Sequence, residues 1–326
     1  MSSSIKRVLV TGALGQIGTE LTATLREKYG VDNVIATDCR DGSGSDVAKG
    51  GHFEILDVID EKAISKMIAD KQIDTIFHLA AILSATGEKN PSLCWEVNMQ
   101  GTINILNIGV ALELNRIIIP SSIAVWGPGV PLFDTPNDTV LKPTTMYGVT
   151  KVCGELIGDY YFQKYGLDVR GMRYPGIISY ETSPGGGTTD YAVAIYYSAV
   201  ETGHYTCFVS KDTMLPMMYM PDAIAAAINL GEADIKKLRR HSDYNIAAMS
   251  FTAEELAESI KKYIPNFTID YAPDYRQAIA DSWPRSIDDI YAREDWDWNP
   301  QWDLDSMTKD TLEKLAIRHK AGNLYR

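Results

Sequence analysis

Residues 8–21 read VLVTGALGQIGTEL: four residues suited to a buried strand, three spaced glycines, and the opening of an apolar-periodic helix. Gly12, Gly15 and Gly18 fall where the strand turns into the helix. Glycine is needed at such a turn because it is tight, because the backbone approaches a pyrophosphate closely, and because helix and strand pack without an intervening side chain. The positive end of the helix then faces the phosphates. The spacing is G-x-x-G-x-x-G, with Gln16 and Ile17 inside it as further candidate contacts to a dinucleotide.

Outward from this turn the chain alternates between period-2 and period-3.6 patterns. Strands are expected at 5–10, 33–37, 52–56, 74–78, 116–120 and 168–174. Helices are expected at 16–28, 61–69, roughly 91–113, and from Met146 onward. Such alternation builds a parallel sheet covered on both faces. After Pro175 the pattern loosens, with helices expected at 190–201, 221–230, 252–262 and from about 305. The fold class is therefore α/β, a Rossmann-type doubly wound parallel sheet with a smaller C-terminal α/β substrate lobe. The division is expected at 1–177 for the dinucleotide-binding part, with part of 215–247 returning to it, and 178–326 mainly for substrate.

Asp38 lies twenty residues past Gly18, at the end of the second strand. A carboxylate there accepts from a ribose diol and repels a 2′-phosphate, which favours NAD over NADP. Arg40 opposes that preference, since a guanidinium is the group that holds a 2′-phosphate. Asp57, at the end of the third strand, either faces the adenine amino group or caps a helix. Leu79, Ala80 and Ala81 follow the fourth strand, where small residues let backbone approach the cofactor or simply pack. Tyr174, at the end of the sixth strand, and Ile177, three residues beyond it, complete the candidate cofactor contacts.

Tyr147 and Lys151 stand one helical turn apart on one face. A phenol, with an ordinary pKa of about 10, needs a nearby cation to act as a base at neutral pH. Tyr160 and Lys164 repeat the spacing, so position must choose between the pairs. Tyr147 opens its helix at the carboxyl edge of the sheet, whereas Tyr160 lies inside the helix on another face. Ser122, just beyond the fifth strand, supplies a hydroxyl to orient a reacting alcohol. His78, inside a strand, reads as a satisfied core histidine.

The composition, 45% hydrophobic and 23% charged, is that of a globular chain. The net charge of −12, with 43 acidic against 31 basic residues, disfavours nucleic acid and anionic lipid as partners. No apolar run approaches the ~18 residues of a membrane span. The four cysteines are far apart and form neither a disulfide framework nor a metal cluster with histidine and carboxylates. The amino terminus has no apolar targeting core, so the expected location is cytoplasmic, or the mitochondrial matrix for a processed eukaryotic chain.

TGALGQIG, IFHLAA, SSIAVWG and YGVTK, in that order, resemble the extended short-chain dehydrogenase/reductase superfamily, the group containing the UDP-galactose epimerases. The resemblance implies NAD as cofactor, a catalytic trio of Ser122, Tyr147 and Lys151, and a lysine that also binds the nicotinamide ribose. Asn98 matches a helix asparagine of structural role.

Two later stretches, RYPGIISYETSPGGGTTDYAVAIYYSAV and DTMLPMMYMPDA, replace the R-Y-F-N type motif of the sugar-nucleotide enzymes. They are similar to the short-chain type of L-threonine 3-dehydrogenase. This resemblance implies L-threonine as substrate, its carboxylate held by backbone amides at Gly187 and the hydroxyl of Thr188, with Ser84 and Trp283 enclosing it. The plainer alternatives are a helix cap for Thr188, a loop hydroxyl for Ser84 and lobe packing for Trp283, as for Trp296, Trp298 and Trp302. A sugar-nucleotide epimerase or reductase is the competing activity, with only Arg276 and Arg285 to meet a diphosphate. A dinucleotide-binding regulator without catalysis is the third. A homodimer pairing through LIGDYYF on the helix of Tyr147 is the expected assembly.

Overall fold

The structure, a computed structural model, describes residues 5–183, 185 and 187–325. Six strands form the central sheet: β1 (Val8–Thr11), β2 (Val34–Asp38), β3 (Phe53–Ile55), β4 (Thr75–His78), β5 (Arg116–Ile118) and, after the two-residue β6 (Ser121–Ser122), β7 (Val169–Arg170). Their order is β3-β2-β1-β4-β5-β7 and every pairing is parallel. Between them run α1 (Gln16–Tyr29), α2 (Asp46–Lys49), α3 (Glu61–Lys71), α4 (Ser84–Lys89), α5 (Pro91–Trp95), α6 (Gly101–Ala111) and α7 (Met146–Tyr165). This is the doubly wound parallel arrangement expected from the sequence.

The strand interiors explain the burial. Every residue of β1 is buried, Val8 and Val10 facing one layer of the core and Leu9 the other. Residues two apart share a face of a strand, so one apolar run feeds both layers of helices. The strand order reverses between β1 and β4, and ligands of open α/β sheets bind outside the carboxyl ends at such a switch point.

Beyond β7 come β8 (Met172–Tyr174) and β9 (Gly176–Ile178), then α8 (Tyr191–Glu201), β10 (His204–Cys207), β11 (Met214–Tyr219), α9 (Met220–Glu232), β12 (Tyr244–Asn245), β13 (Met249–Thr252), α10 (Ala253–Lys261), β14 (Thr268–Tyr271), α11 (Arg276–Asp281), α12 (Ile290–Trp296) and α13 (Leu304–Lys320). β12 pairs with β8, and α9 packs on α1. A separate apolar core gathers Tyr191, Tyr196, Leu215, Phe251, Trp283 and Leu315.

One expectation is refined and one corrected. The helix foreseen over 91–113 forms, but it winds through a π-helical turn at Glu96–Gln100 between α5 and α6. There Asn98 Oδ1 accepts from the Ile82 amide at 2.7 Å while its Nδ2 donates to the Ile82 carbonyl and to Thr150 Oγ1, both at 3.1 Å. Such one-turn bulges inside α-helices are frequent at functional sites. The strand foreseen over 168–174 breaks at Gly171, where a Cβ would lie 2.5 Å from the Ser242 carbonyl oxygen and 2.7 Å from that of Ile119. Its halves therefore join different sheets: β7 pairs with β5, and β8 with β6 and β12. Among the described residues no helix is long and apolar enough to cross a membrane.

Candidate active site

A cleft enclosing about 230 Å³ opens at the carboxyl ends of β1, β4, β6 and β8. On its floor lies the turn from β1 into α1. Gly12 has φ +69°, the left-handed region glycine adopts without strain, and a Cβ there would stand 2.7 Å from the Ala80 nitrogen. At Gly18 a Cβ would stand 2.2 Å from the Gly12 carbonyl oxygen. The amino end of α1 has no side-chain cap and no acidic residue in its first turn. Its free N–H groups and positive end suit an anion. By shape and polarity this cradle fits the pyrophosphate of a dinucleotide.

The cleft brings together Gly12, Gly15, Gln16, Ile17, Gly18, Leu79, Ala81, Ser84, Ser122, Tyr147, Lys151, Tyr174, Ile177, Gly187, Thr188 and Trp283. Three foreseen cofactor contacts lie outside its wall. Ala80 sits behind Gly12, its amide 3.4 Å from Thr11 Oγ1. Asp57 is exposed two residues past β3, and its carboxylate accepts from the Ile59 amide at 3.0 Å; the turn claims it. Asp38 ends β2, 5% exposed. Its oxygens accept from Arg40 Nε at 2.9 Å, from the other arm of that guanidinium at 3.0 Å and from the Leu14 amide at 3.0 Å. Burial pushes this carboxyl up, but the hydrogen bonds from Arg40 and Leu14 outweigh it and hold it below its usual range. Carboxylate and guanidinium, read from sequence as rivals, are partners.

Thr145 caps α7 by accepting from the Gly148 amide at 3.1 Å, which sets Tyr147 in the first turn, facing the cleft. Burial around its hydroxyl raises the phenol to about 12, and a hydrogen bond with Ser122 opposes the rise. Ser122 in turn caps the short helical turn Ile123–Val125 through the Ala124 amide. Lys151 donates to the Pro120 carbonyl at 2.7 Å, and burial lowers its ammonium to about 8. Tyr160 and Lys164 are bonded to each other at 2.6 Å, far from the cleft, with Tyr160 48% exposed.

Ser84 is the first residue of α4 rather than part of a loop, and is buried. Thr188 is buried too and caps no helix; Asp190 precedes α8. Pro184 and Gly186 of the glycine-rich loop lie outside the described residues. Trp283 is 6% exposed, belongs to the C-terminal core and also lines the cleft. Trp296 and Trp298 pack on each other, and Trp302 on Tyr219. His78 is buried, its Nδ1 2.8 Å from Thr11 Oγ1, and burial beside the Lys151 charge holds it to about 3. It is the satisfied histidine foreseen, yet it also lines the cleft.

The sequence reading missed Pro120, Ser121 and Asp190, which also face the cleft. The Asp190 carboxylate accepts from the Gly187 amide at 2.8 Å, so that amide, foreseen as a substrate contact, is already engaged. An aspartate just before the helix that follows GGGTT was the available signal. Lys151 is the one lysine or arginine on the wall among the described residues. Arg276 pairs with Asp274 and Arg285 lies over Phe133; neither reaches the cleft. No group of three or more histidine, cysteine or acidic side chains able to hold a metal occurs among the described residues.

Comparison with known proteins agrees with this geometry. The model of the NAD dependent epimerase/dehydratase family matches residues 8–247. An uncharacterized epimerase/dehydratase of Staphylococcus aureus strain USA300 is 51% identical over 320 residues, 98% of this chain and 99% of the relative. The X-ray structure of L-threonine dehydrogenase from Clostridium difficile superposes with a TM-score of 0.95 at 51% identity, covering 97% of this chain and 99% of that one. A monomeric L-threonine 3-dehydrogenase from a metagenome gives 0.91 at 49% identity, covering 95% and 99%.

Proposed function

We propose that this chain, which belongs to the NAD dependent epimerase/dehydratase family, oxidises the β-hydroxyl of L-threonine to L-2-amino-3-oxobutanoate. The observation that carries the reading is the meeting of Ser122, Tyr147 and Lys151 in a cleft whose wall, among the described residues, has one cationic side chain. A sugar-nucleotide substrate would bring a second diphosphate, for which the wall offers no further lysine or arginine among the described residues. One amino-acid carboxylate can be met by neutral donors such as the Thr188 hydroxyl. The likeness to the two threonine dehydrogenases supports the same choice.

NAD would lie over the glycine turn, its pyrophosphate on the amino end of α1, its adenosine ribose toward Asp38, and Leu79, Ala81, Tyr174 and Ile177 along its length. Bound there, it supplies the hydride acceptor. Tyr147 takes the proton of the substrate hydroxyl. Ser122, which lines the cleft with Tyr147, orients that hydroxyl. Lys151 contacts the nicotinamide ribose and stabilises the phenolate, the form that burial alone opposes. Thr188, Ser84 and Trp283 enclose the amino acid. In this reading 1–177, with part of 215–247, holds the cofactor and 178–326 mainly the substrate.

Leu156 and Tyr160 of α7 and Trp95 of α5 leave an exposed apolar face, which supports pairing of two copies through α7.

The test is NADH formation by the purified protein with L-threonine and NAD, against D-threonine, L-serine and NADP. Turnover confined to L-threonine with NAD is expected. Absence of NADH with every amino acid would overturn the reading.

A further inference from the structure

Helix α7 carries a third ionisable side chain in line with the two of the cleft. Tyr147, Lys151 and Glu155 follow at four-residue intervals and so share one face. Glu155 is 5% exposed. Its Oε1 accepts from Ser121 Oγ at 2.5 Å and from Arg173 Nε at 2.9 Å, and its Oε2 accepts from the other arm of the guanidinium at 2.8 Å. Arg173, equally buried, donates onward to the Asn137 carbonyl and to Asn245 Oδ1 and lies over the Trp126 ring. Lys151 and Glu155 also wall one small cavity of about 20 Å³ behind the cleft.

A buried ion pair is a poor source of net stability, because desolvation of both charges offsets their attraction. Stability alone therefore does not account for a charged pair at this place. On the reading of Lys151 as an ammonium that contacts the cofactor, we propose that Glu155 is a positioning residue: it anchors Ser121 beside Ser122 and supplies the buried anion that keeps the Lys151 ammonium charged. Burial is the main influence on Lys151 and drives it down, while the Glu155 charge pushes back. The remaining groups facing Lys151 are Tyr147 on its own helix, Cys94 of α5 and His78 of β4. His78 is neutral near pH 7, so among the groups facing Lys151 the charged one is Glu155, whose own counter-charge is Arg173. Glu155 itself faces Arg173, Ser121 and, further out, Asp243.

The sign follows. Without the anion, Lys151 loses its proton at lower pH, and NAD binding that depends on the ammonium fails earlier as pH rises.

The experiment measures NAD affinity by titration calorimetry from neutral to alkaline pH in the wild type, Glu155→Gln and Lys151→Met. Glutamine keeps the acceptor for Ser121 and removes the charge. The alkaline loss of affinity is expected to disappear in Lys151→Met and to move down by about one pH unit in Glu155→Gln. An unmoved limb in Glu155→Gln overturns the proposal, as does a limb that survives in Lys151→Met. Glu155→Gln strands the Arg173 guanidinium and is at risk of not folding. The double variant Glu155→Gln, Arg173→Met removes both charges, and a smaller shift in the same downward direction is expected, since the nearer charge is the one on the Lys151 face of α7; an unmoved limb there also overturns the proposal. The readout needs no amino acid, so failure of the threonine reading would leave it intact.

Discussion

The Lys151 ammonium donates to the Pro120 carbonyl at 2.7 Å and stands 5.5 Å from the centre of the Tyr147 ring. Pro120 joins β5 to β6, so the carbonyl that aims the lysine belongs to the segment that also presents Ser122. Sheet and helix thus meet at one cation. With the ammonium so directed, burial dominates at Tyr147 and keeps it a neutral phenol near pH 7.

Tyr147→Phe removes the hydroxyl and little else. Turnover is expected to fall by about 10²–10⁴, the range for loss of a positioned acid–base group. NAD affinity by calorimetry should change little, because the ring remains. Tyr160→Phe is the control. Its hydroxyl meets only Lys164 at the surface, and full activity with a stability change within about 0.5 kcal/mol is expected. Loss of turnover in Tyr160→Phe with retention in Tyr147→Phe would reverse the assignment.

Cofactor preference is tested at Asp38 and Arg40. Asp38 holds the guanidinium in two hydrogen bonds. Asp38→Asn removes the charge that repels a 2′-phosphate and weakens the hold on Arg40, whose side chain is 60% exposed. The ratio of NAD to NADP turnover is expected to drop by about tenfold or more, the worth of one lost charge contact. An unchanged ratio would remove Asp38 from the discrimination.

Gly18→Ala tests the cradle. Its methyl would meet the Gly12 carbonyl oxygen and the Ala13 backbone, which cannot swing aside as a side chain can. Thermal unfolding should show a loss of about 1–3 kcal/mol, typical of overpacking, accompanied by loss of NAD binding. Gly154→Ala on α7 meets nothing within 4 Å and should cost neither.

How much of this was legible in the sequence follows the range of the interactions. The glycine turn was readable because strand, turn and helix are contiguous. Tyr147 was separable from Tyr160 because helix position is local information. Glu155 was not readable as a partner of Ser121, thirty-four residues away, nor Asn98 as the clamp on Ile82, because those bonds exist only after the elements pack. Gly171 broke its strand through the Ser242 carbonyl for the same reason. At Asp57 the sequence left two readings open, and the bond its carboxylate accepts from an amide two residues on, a habit of aspartate in turns, was not among them.

Glu20 of α1 gives the last prediction, one of stability against pH. Its Oε1 accepts from Ser179 Oγ at 2.6 Å, at the entry to the segment leading to the glycine-rich loop. Burial raises this carboxyl from 4.5 to about 7, with Glu181 pushing the same way and Ser179 and Arg318 opposing. The folded chain thus keeps a proton that the unfolded chain has released. The stabilisation is full below pH 4.5, declines as pH rises and is gone above about 7. Glu20→Gln keeps the acceptor for Ser179 and abolishes the titration. Relative to the wild type, the variant is expected to gain about 1–3 kcal/mol, or about 2–6 °C in Tm, at about pH 8 and little at about pH 4.5. Every other titrating group is common to both proteins, so the difference between their melting curves isolates this carboxyl. An equal difference at both pH values would show that the substitution acts through packing and that Glu20 ionises in the fold as it does in the open chain.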